Sequence, residues 1–272
     1  MISNIFYLFY NYLDYYLRQL FHWKRRGLII HNETKEHLFS NITSLSHQVT
    51  ENNALRLLQN YHLCTLYNQS TIDNYKENLY YLDMLEHALE ISNLNLDEVI
   101  SVADIGTSHW FYVQSLYALL KWYQTPHNPR KVFLTGYEED AFRVYKDFYS
   151  RYDYVMAHIG GLRDVKFVPE KFKCQPDHFD VITILFPFVF IKDHLAWGLP
   201  HSYFSPQILL RDAFRSLKQN GVLIIANQGE NECISEVNFL EILGIKPINV
   251  FRHMSNYYNY DIDRFIIVAT RN

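Results

Sequence analysis

The stretch Ser101-Val102-Ala103-Asp104-Ile105-Gly106-Thr107-Ser108-His109-Trp110 constrains what this chain can fold into more than any other. Before it, residues 96–103 form a short run rich in Val and Ile, bounded by polar residues, that suits a strand buried on both faces. After it, residues 111–123 space Val113, Leu116, Tyr117 and Leu120 along one face of a helix. The order is therefore strand, tight turn, helix. In α/β sheets the ligand crevice lies outside the carboxyl ends of the strands, where a helix N-terminus offers unpaired N–H groups and a positive dipole end. Gly106 lets the backbone turn sharply and come close to a ligand, and Asp104 can accept hydrogen bonds from loop N–H groups or from a cationic ligand amine. The same residues also suit an ordinary strand-to-helix turn with a capping Asp.

From residue 96 onward strand and helix alternate. Strands are expected at Lys131–Tyr137, Val165–Val168, 179–186 and 222–226, and helices at 141–152 and 207–217. Lys218-Gln219-Asn220-Gly221 stops the second of these helices, with Gly221 as the expected left-handed cap. Strands separated by helices imply right-handed crossovers and a mostly parallel sheet covered on both faces. The last two runs, 248–251 and 265–269, are joined by a polar stretch and suit an antiparallel edge pair. The expected fold class is a doubly wound α/β sheet of seven mostly parallel strands with an antiparallel C-terminal edge pair. This domain spans 96–272, behind an N-terminal helical cap over 1–95.

In that cap, helices are expected at 52–64 and 75–91, with 34–45 a weaker candidate. Residues 5–23 are dense in Phe, Tyr and Leu but carry Asn11, Asp14, Arg18 and Gln19, which breaks the apolar span a transmembrane helix needs. Followed by Lys24-Arg25-Arg26, this segment could lie peripherally on an anionic membrane. Docking on its own domain, or on a second copy in a homodimer, is the preferred expectation, because many of its polar tips are tyrosine hydroxyls. The segment has neither a basic start nor a small-residue cleavage site, which argues against a secretory signal.

A chain of 272 residues can bury one sizeable core. Its net charge of -4, with Lys and Arg scattered except at 24–26, argues against a nucleic-acid partner and for a small-molecule one. Three cysteines far apart, without a C-x-x-C, argue against structural zinc and a disulfide framework. No metal is expected, and a cytoplasmic setting fits.

Four ordered matches over 96–272 resemble the class I S-adenosylmethionine-dependent methyltransferases, a Rossmann-like family. Val102-Ala103-Asp104-Ile105-Gly106 is similar to the family's first motif, an acid-x-Gly turn after the first strand. Glu138, after the second strand, matches the acid that takes the two ribose hydroxyls. Phe179-Asp180-Val181-Ile182-Thr183-Ile184 is similar to the fourth strand, and Leu217-Lys218-Gln219-Asn220-Gly221-Val222-Leu223-Ile224-Ile225 to the turn and fifth strand. The family carries further glycines at alternate positions of the first turn, where this chain has Ser108 and Trp110. Trp110 is therefore expected to point away from the cofactor or to wall its pocket.

The resemblance implies S-adenosylmethionine as cofactor, held by Asp104, Gly106, Thr107, Ser108, Glu138 and Glu170, with the last facing the adenine. It implies methyl transfer by in-line displacement, which rests on alignment in a dry site and needs a base only when the acceptor loses a proton. The acceptor site would lie just past the fourth strand, where His194 is the candidate catalytic base and Phe188 and Trp197 candidate substrate walls. The alternative is a methyltransferase-fold binding or scaffold protein without catalysis, suggested by Ser108 and Trp110.

Overall fold

β1 (Val99–Ile105) carries apolar side chains on both faces and is buried from Val102 to its end, as a central strand must be. In the computed structural model, which describes residues 2–36, 38–39, 44–125 and 127–271, it pairs in parallel with β2 (Lys131–Tyr137) on one side and β4 (Phe179–Leu185) on the other. β3 (Val165–Val168) extends the first side. β5 (Leu217–Gln228), β7 (Arg264–Thr270) and β6 (Pro247–His253) extend the second, β7 antiparallel to both neighbours. The sheet order is β3-β2-β1-β4-β5-β7-β6. The winding reverses between β1 and β4, so the ligand crevice of this topology belongs at their carboxyl ends.

The helices are α1 (Ile2–Phe21), α2 (Ser44–Asn60), α3 (Cys64–Gln69), α4 (Ile72–Ser92), α5 (Val113–Trp122), α6 (Arg151–His158), α7 (Ile191–Ala196), α8 (Pro206–Ser216) and α9 (Glu230–Ile242). Thr71 caps α4 through the Asn74 N–H, and Asn93 ends it in the left-handed conformation. Leu79, Leu82 and Leu85 of α4 share one apolar core with Leu57 of α2, Leu116 of α5, Val102 and Val222. Residue 95 is thus no boundary in packing. Of the segment before β1, α2 and α4 belong to the sheet's own core, whereas α1 lies along the rim of the carboxyl ends.

Several local expectations change. The helix expected at 141–152 does not form as such: residues 141–150 are a loop with a bridge between Val144 and Ser150 and a left-handed Phe148, and α6 begins only at Arg151. Ser150 starts α6 with a capping box, its hydroxyl accepting from the Asp153 N–H while Asp153 accepts from the Ser150 N–H. After α8 the left-handed residue is Asn220, not Gly221. Gly221 is required for space instead, since a Cβ there would meet the Lys218, Phe179 and Asp180 carbonyl oxygens at 3.0–3.2 Å. Residues 34–36 and 38–39 are non-helical, and the rest of the expected helix at 34–45 lies largely outside the described residues. α9, between β5 and β6, has no counterpart in the sequence reading.

Candidate active site

The turn after β1 is held against β2 by its backbone. The Gly106 N–H donates to the Tyr137 carbonyl (2.8 Å), and Thr107 N–H to the same oxygen (3.3 Å). Gly106, Ser108 and Trp110 all have positive φ, at 78°, 53° and 50°. The positions where the family carries glycine are therefore all left-handed in this chain. For the two non-glycine residues that conformation costs about 1 kcal/mol each.

Specific bonds offset the cost. The Ser108 N–H donates to Glu138 Oε2 (2.7 Å). Trp110 turns away from the crevice into the core, where its indole Nε1 donates to Asp104 Oδ2 (2.6 Å). Its ring fills the space over Gly136, where a Cβ would come within 2.5 Å of it. The other oxygen of Asp104 accepts from the Thr183 hydroxyl (2.7 Å). Asp104 is fully buried, and burial raises its pKa to about 6. Its carboxylate braces the turn from beneath and is not among the residues that line the crevice.

Beyond the turn a cavity of about 360 Å³ opens at the carboxyl ends of β1 and β4. Gly106, Thr107, Ser108, Glu138 and Glu170 line it, as do His194, Phe188 and Trp197 past β4, and Tyr81 of α4. Glu138 is buried. Its Oε1 accepts from the Asp140 N–H (2.9 Å) and from Arg151 Nη1 (3.3 Å), and its Oε2 from Ser108, leaving one acceptor direction open on Oε2. The Thr107 hydroxyl is buried and has no hydrogen-bond partner among the described residues. Glu170 lies at the exposed rim, paired with Lys173 (3.0 Å).

His194 is buried, with Nε2 2.8 Å from the Pro200 carbonyl. A carbonyl only accepts, so Nε2 carries the proton and Nδ1 the lone pair. Burial lowers its pKa, which keeps the ring neutral near pH 7. The Phe188 ring stands 5.5 Å from His194 and 5.9 Å from Trp197.

Three groups that the sequence reading missed complete the wall. Glu139 is pushed up to about 7 by burial. His109 is pushed down to about 4 by burial and by Arg151, and stacks on Phe111 at 5.1 Å. The buried Asp140 gathers Arg143 (2.6 Å), Arg18 of α1 (3.0 Å) and Arg151 (3.7 Å). Arg151 in turn stands 4.9 Å from the Trp197 ring. Glu139-Asp140 directly after Glu138, with Arg143 three residues on, was a visible signal, but Arg18 comes from 122 positions away, which spacing alone does not connect.

No family model matches the chain, and no curated protein does. Solved structures do. A provisionally assigned class I S-adenosylmethionine-dependent methyltransferase from Listeria monocytogenes is 12% identical, with 88% of this chain and 79% of that one covered at a TM-score of 0.50. A S-adenosylmethionine-dependent methyltransferase from Leishmania major is 12% identical over 81% and 82% at 0.49, and one from Aquifex aeolicus 17% identical over 70% and 96% at 0.43. The chain has the class I methyltransferase fold: a seven-stranded sheet with an antiparallel β5-β7-β6 edge.

Proposed function

We propose that this chain is a S-adenosylmethionine-dependent methyltransferase acting on a small-molecule acceptor. One observation carries it: the crevice at the winding reversal is walled by an open glycine turn and by a carboxylate at the end of β2. These residues suit the cofactor. Space lies open where a Cβ of Gly106 would be, the Thr107 hydroxyl lacks a partner, and Glu138 keeps one acceptor direction for a ribose hydroxyl. Glu170 is the acceptor assigned to the adenine end, and Ser108 positions Glu138. Asp104 is assigned a positioning role through Trp110 in place of direct contact.

S-adenosylmethionine held there would supply an electrophilic sulfonium methyl, to whose carbon an acceptor lone pair bonds in line as the S–C pair leaves with the thioether sulfur. Phe188 and Trp197 wall the acceptor and exclude water, which strengthens alignment and electrostatics at the reacting atoms. His194 takes the acceptor's proton on Nδ1 while Nε2 stays fixed on the Pro200 carbonyl. The aromatic walls that Phe188 and Trp197 give the end of the crevice past β4 support a small acceptor. The net charge of -4 and the three unpaired cysteines support a cytoplasmic setting without a nucleic-acid partner.

Transfer of a labelled methyl group to pooled small hydroxy, amino and thiol compounds, with RNA as a comparison, tests this. His194→Gln keeps an N–H for Pro200 but has no base. Turnover on the acceptor found should fall about 100-fold or more, with cofactor affinity unchanged. Label appearing only on RNA would overturn the acceptor class.

A further inference from the structure

α1 is docked the wrong way round for a helix that belongs only to a water-facing protein. Its inward side is polar apart from Tyr15, which is buried against Tyr203 (4.9 Å). Asn11 donates to the Leu195 carbonyl (2.8 Å), Gln19 to the Glu139 carbonyl (2.8 Å) and Arg18 to Asp140 (3.0 Å). The outward side, at helical spacing, is Phe9, Tyr12, Leu13, Tyr16, Leu17 and Leu20, all exposed, with Phe21 beside them; Phe9, Leu20 and Phe21 are 63%, 75% and 72% exposed. At ~150–250 Å² for each aromatic side chain, this leaves on the order of 1,000 Å² of apolar surface open, beyond the ~300–600 Å² of a typical monomer's largest patch.

The charges around this face point to its occupant. Between residues 9 and 26 the only acid is Asp14, which pairs with Arg18. Lys24, Arg25 and Arg26 follow the helix and are exposed. Lys24 rests over the Tyr152 ring (4.1 Å) and Arg25 over Tyr149 (4.5 Å), which fixes this basic end relative to the apolar face. Among the described residues no helix is long and apolar enough to cross a membrane. A helix with one apolar face, aromatic rings with polar tips and a basic end instead lies in the plane of a lipid surface, its rings at headgroup depth.

We infer that α1 seats this protein on an anionic lipid surface, the outward Phe, Tyr and Leu side chains entering the headgroup boundary and Lys24-Arg25-Arg26 facing the lipid charge. The chain as a whole carries a charge of -4, so attraction to such a surface is local and orients the molecule with α1 toward it.

Sedimentation of the full chain with vesicles tests this without any turnover, using phosphatidylcholine alone and phosphatidylcholine mixed with phosphatidylglycerol. Binding is expected on the mixed vesicles, weaker by about tenfold or more on phosphatidylcholine or at high salt. Leu13→Glu, Leu17→Glu and Leu20→Glu together should abolish it while the melting temperature holds. If that triple variant does not fold, Leu20→Ser with Phe21→Ser should still weaken binding several-fold, because both side chains are largely in water. No sedimentation with either vesicle overturns the inference. A dimer mass by light scattering that the outward variants reduce to a monomer would then assign the face to a second copy. Full vesicle binding by the outward variants also overturns it.

Discussion

At the scale of single residues, the turn after β1 shows how a glycine pattern can be replaced without losing its backbone path. Ser108 and Trp110 both adopt a left-handed conformation that glycine takes at no steric cost, yet they are not equivalent. Ser108 gives Glu138 its backbone N–H, which glycine keeps, and its hydroxyl makes only a 3.5 Å contact with His109 Nδ1, so Ser108→Gly should relieve strain and stabilise by about 0.5–1 kcal/mol. Trp110 fills the space over Gly136 and supplies a donor to a fully buried carboxylate. Trp110→Gly should therefore destabilise by roughly 3–5 kcal/mol despite the same relief. Trp110→Phe keeps an aromatic ring, though a smaller one, and removes the donor, which should cost about 1–3 kcal/mol. Urea denaturation of the three variants measures the order. A stabilised Trp110→Gly would mean that the indole is not what braces Asp104.

At the scale of elements, α1 is held to the rim by a few polar contacts, while α2 and α4 are part of the core. Removing residues 1–26 should leave a cooperatively folded protein with a melting temperature lower by only a few degrees. Calorimetry checks this, and loss of the unfolding transition would place α1 in the core. The same distinction explains what the sequence discloses. β1, β2, β3 and β4 are legible because each is a short apolar run closed by turn residues, and α4 and α8 because their leucines repeat at three and four. α9 escapes because Ile234 and Ile242 stand in water while Cys233 and Leu240 are buried, which blurs any single apolar face. The loop at 141–150 carries helix-forming residues, but hydrogen bonds from the Arg151 and Tyr152 N–H groups to the Arg143 and Ala141 carbonyls fold it back. The placement of Gly106 and Glu138 on the crevice wall is legible from their positions after strands. The partner of Asp104 is not, because only the fold brings Thr183 to it, 79 positions away.

At the scale of the whole molecule, buried carboxyls set the pH at which the fold is most stable. Glu236 of α9 is fully buried, neither oxygen has a hydrogen-bond partner among the described residues, and burial with the neighbouring Glu232 pushes its pKa up to about 8. The unfolded chain releases this proton near the ordinary 4.5, whereas the folded chain holds it until about 8. Stability from this group is thus full below about 4.5 and is lost as pH rises toward 8. Glu139, raised to about 7, and Asp83 and Asp104, raised to about 6, pull the same way. Glu236→Gln should match the original chain near pH 5 and exceed it by roughly a few kcal/mol near pH 8.5. Denaturation at the two pH values reads this directly, and equal curves would mean that Glu236 is ionised in the fold.

The central claim is that the crevice between β1 and β4 holds S-adenosylmethionine through the Gly106 turn and Glu138. Titration calorimetry with S-adenosylhomocysteine, the demethylated product, tests it most directly, on the original chain and on Glu138→Gln. That substitution keeps the side chain's shape and an oxygen for the Asp140 N–H and Arg151, but places an NH2 that accepts neither the Ser108 N–H nor a ribose hydroxyl. The account predicts saturable one-to-one binding to the original chain and an affinity at least about tenfold weaker in the variant, about 1.4 kcal/mol, with the fold unchanged. No heat of binding at millimolar product, or equal affinity in the two proteins, would contradict it and favour a methyltransferase fold that serves as a scaffold.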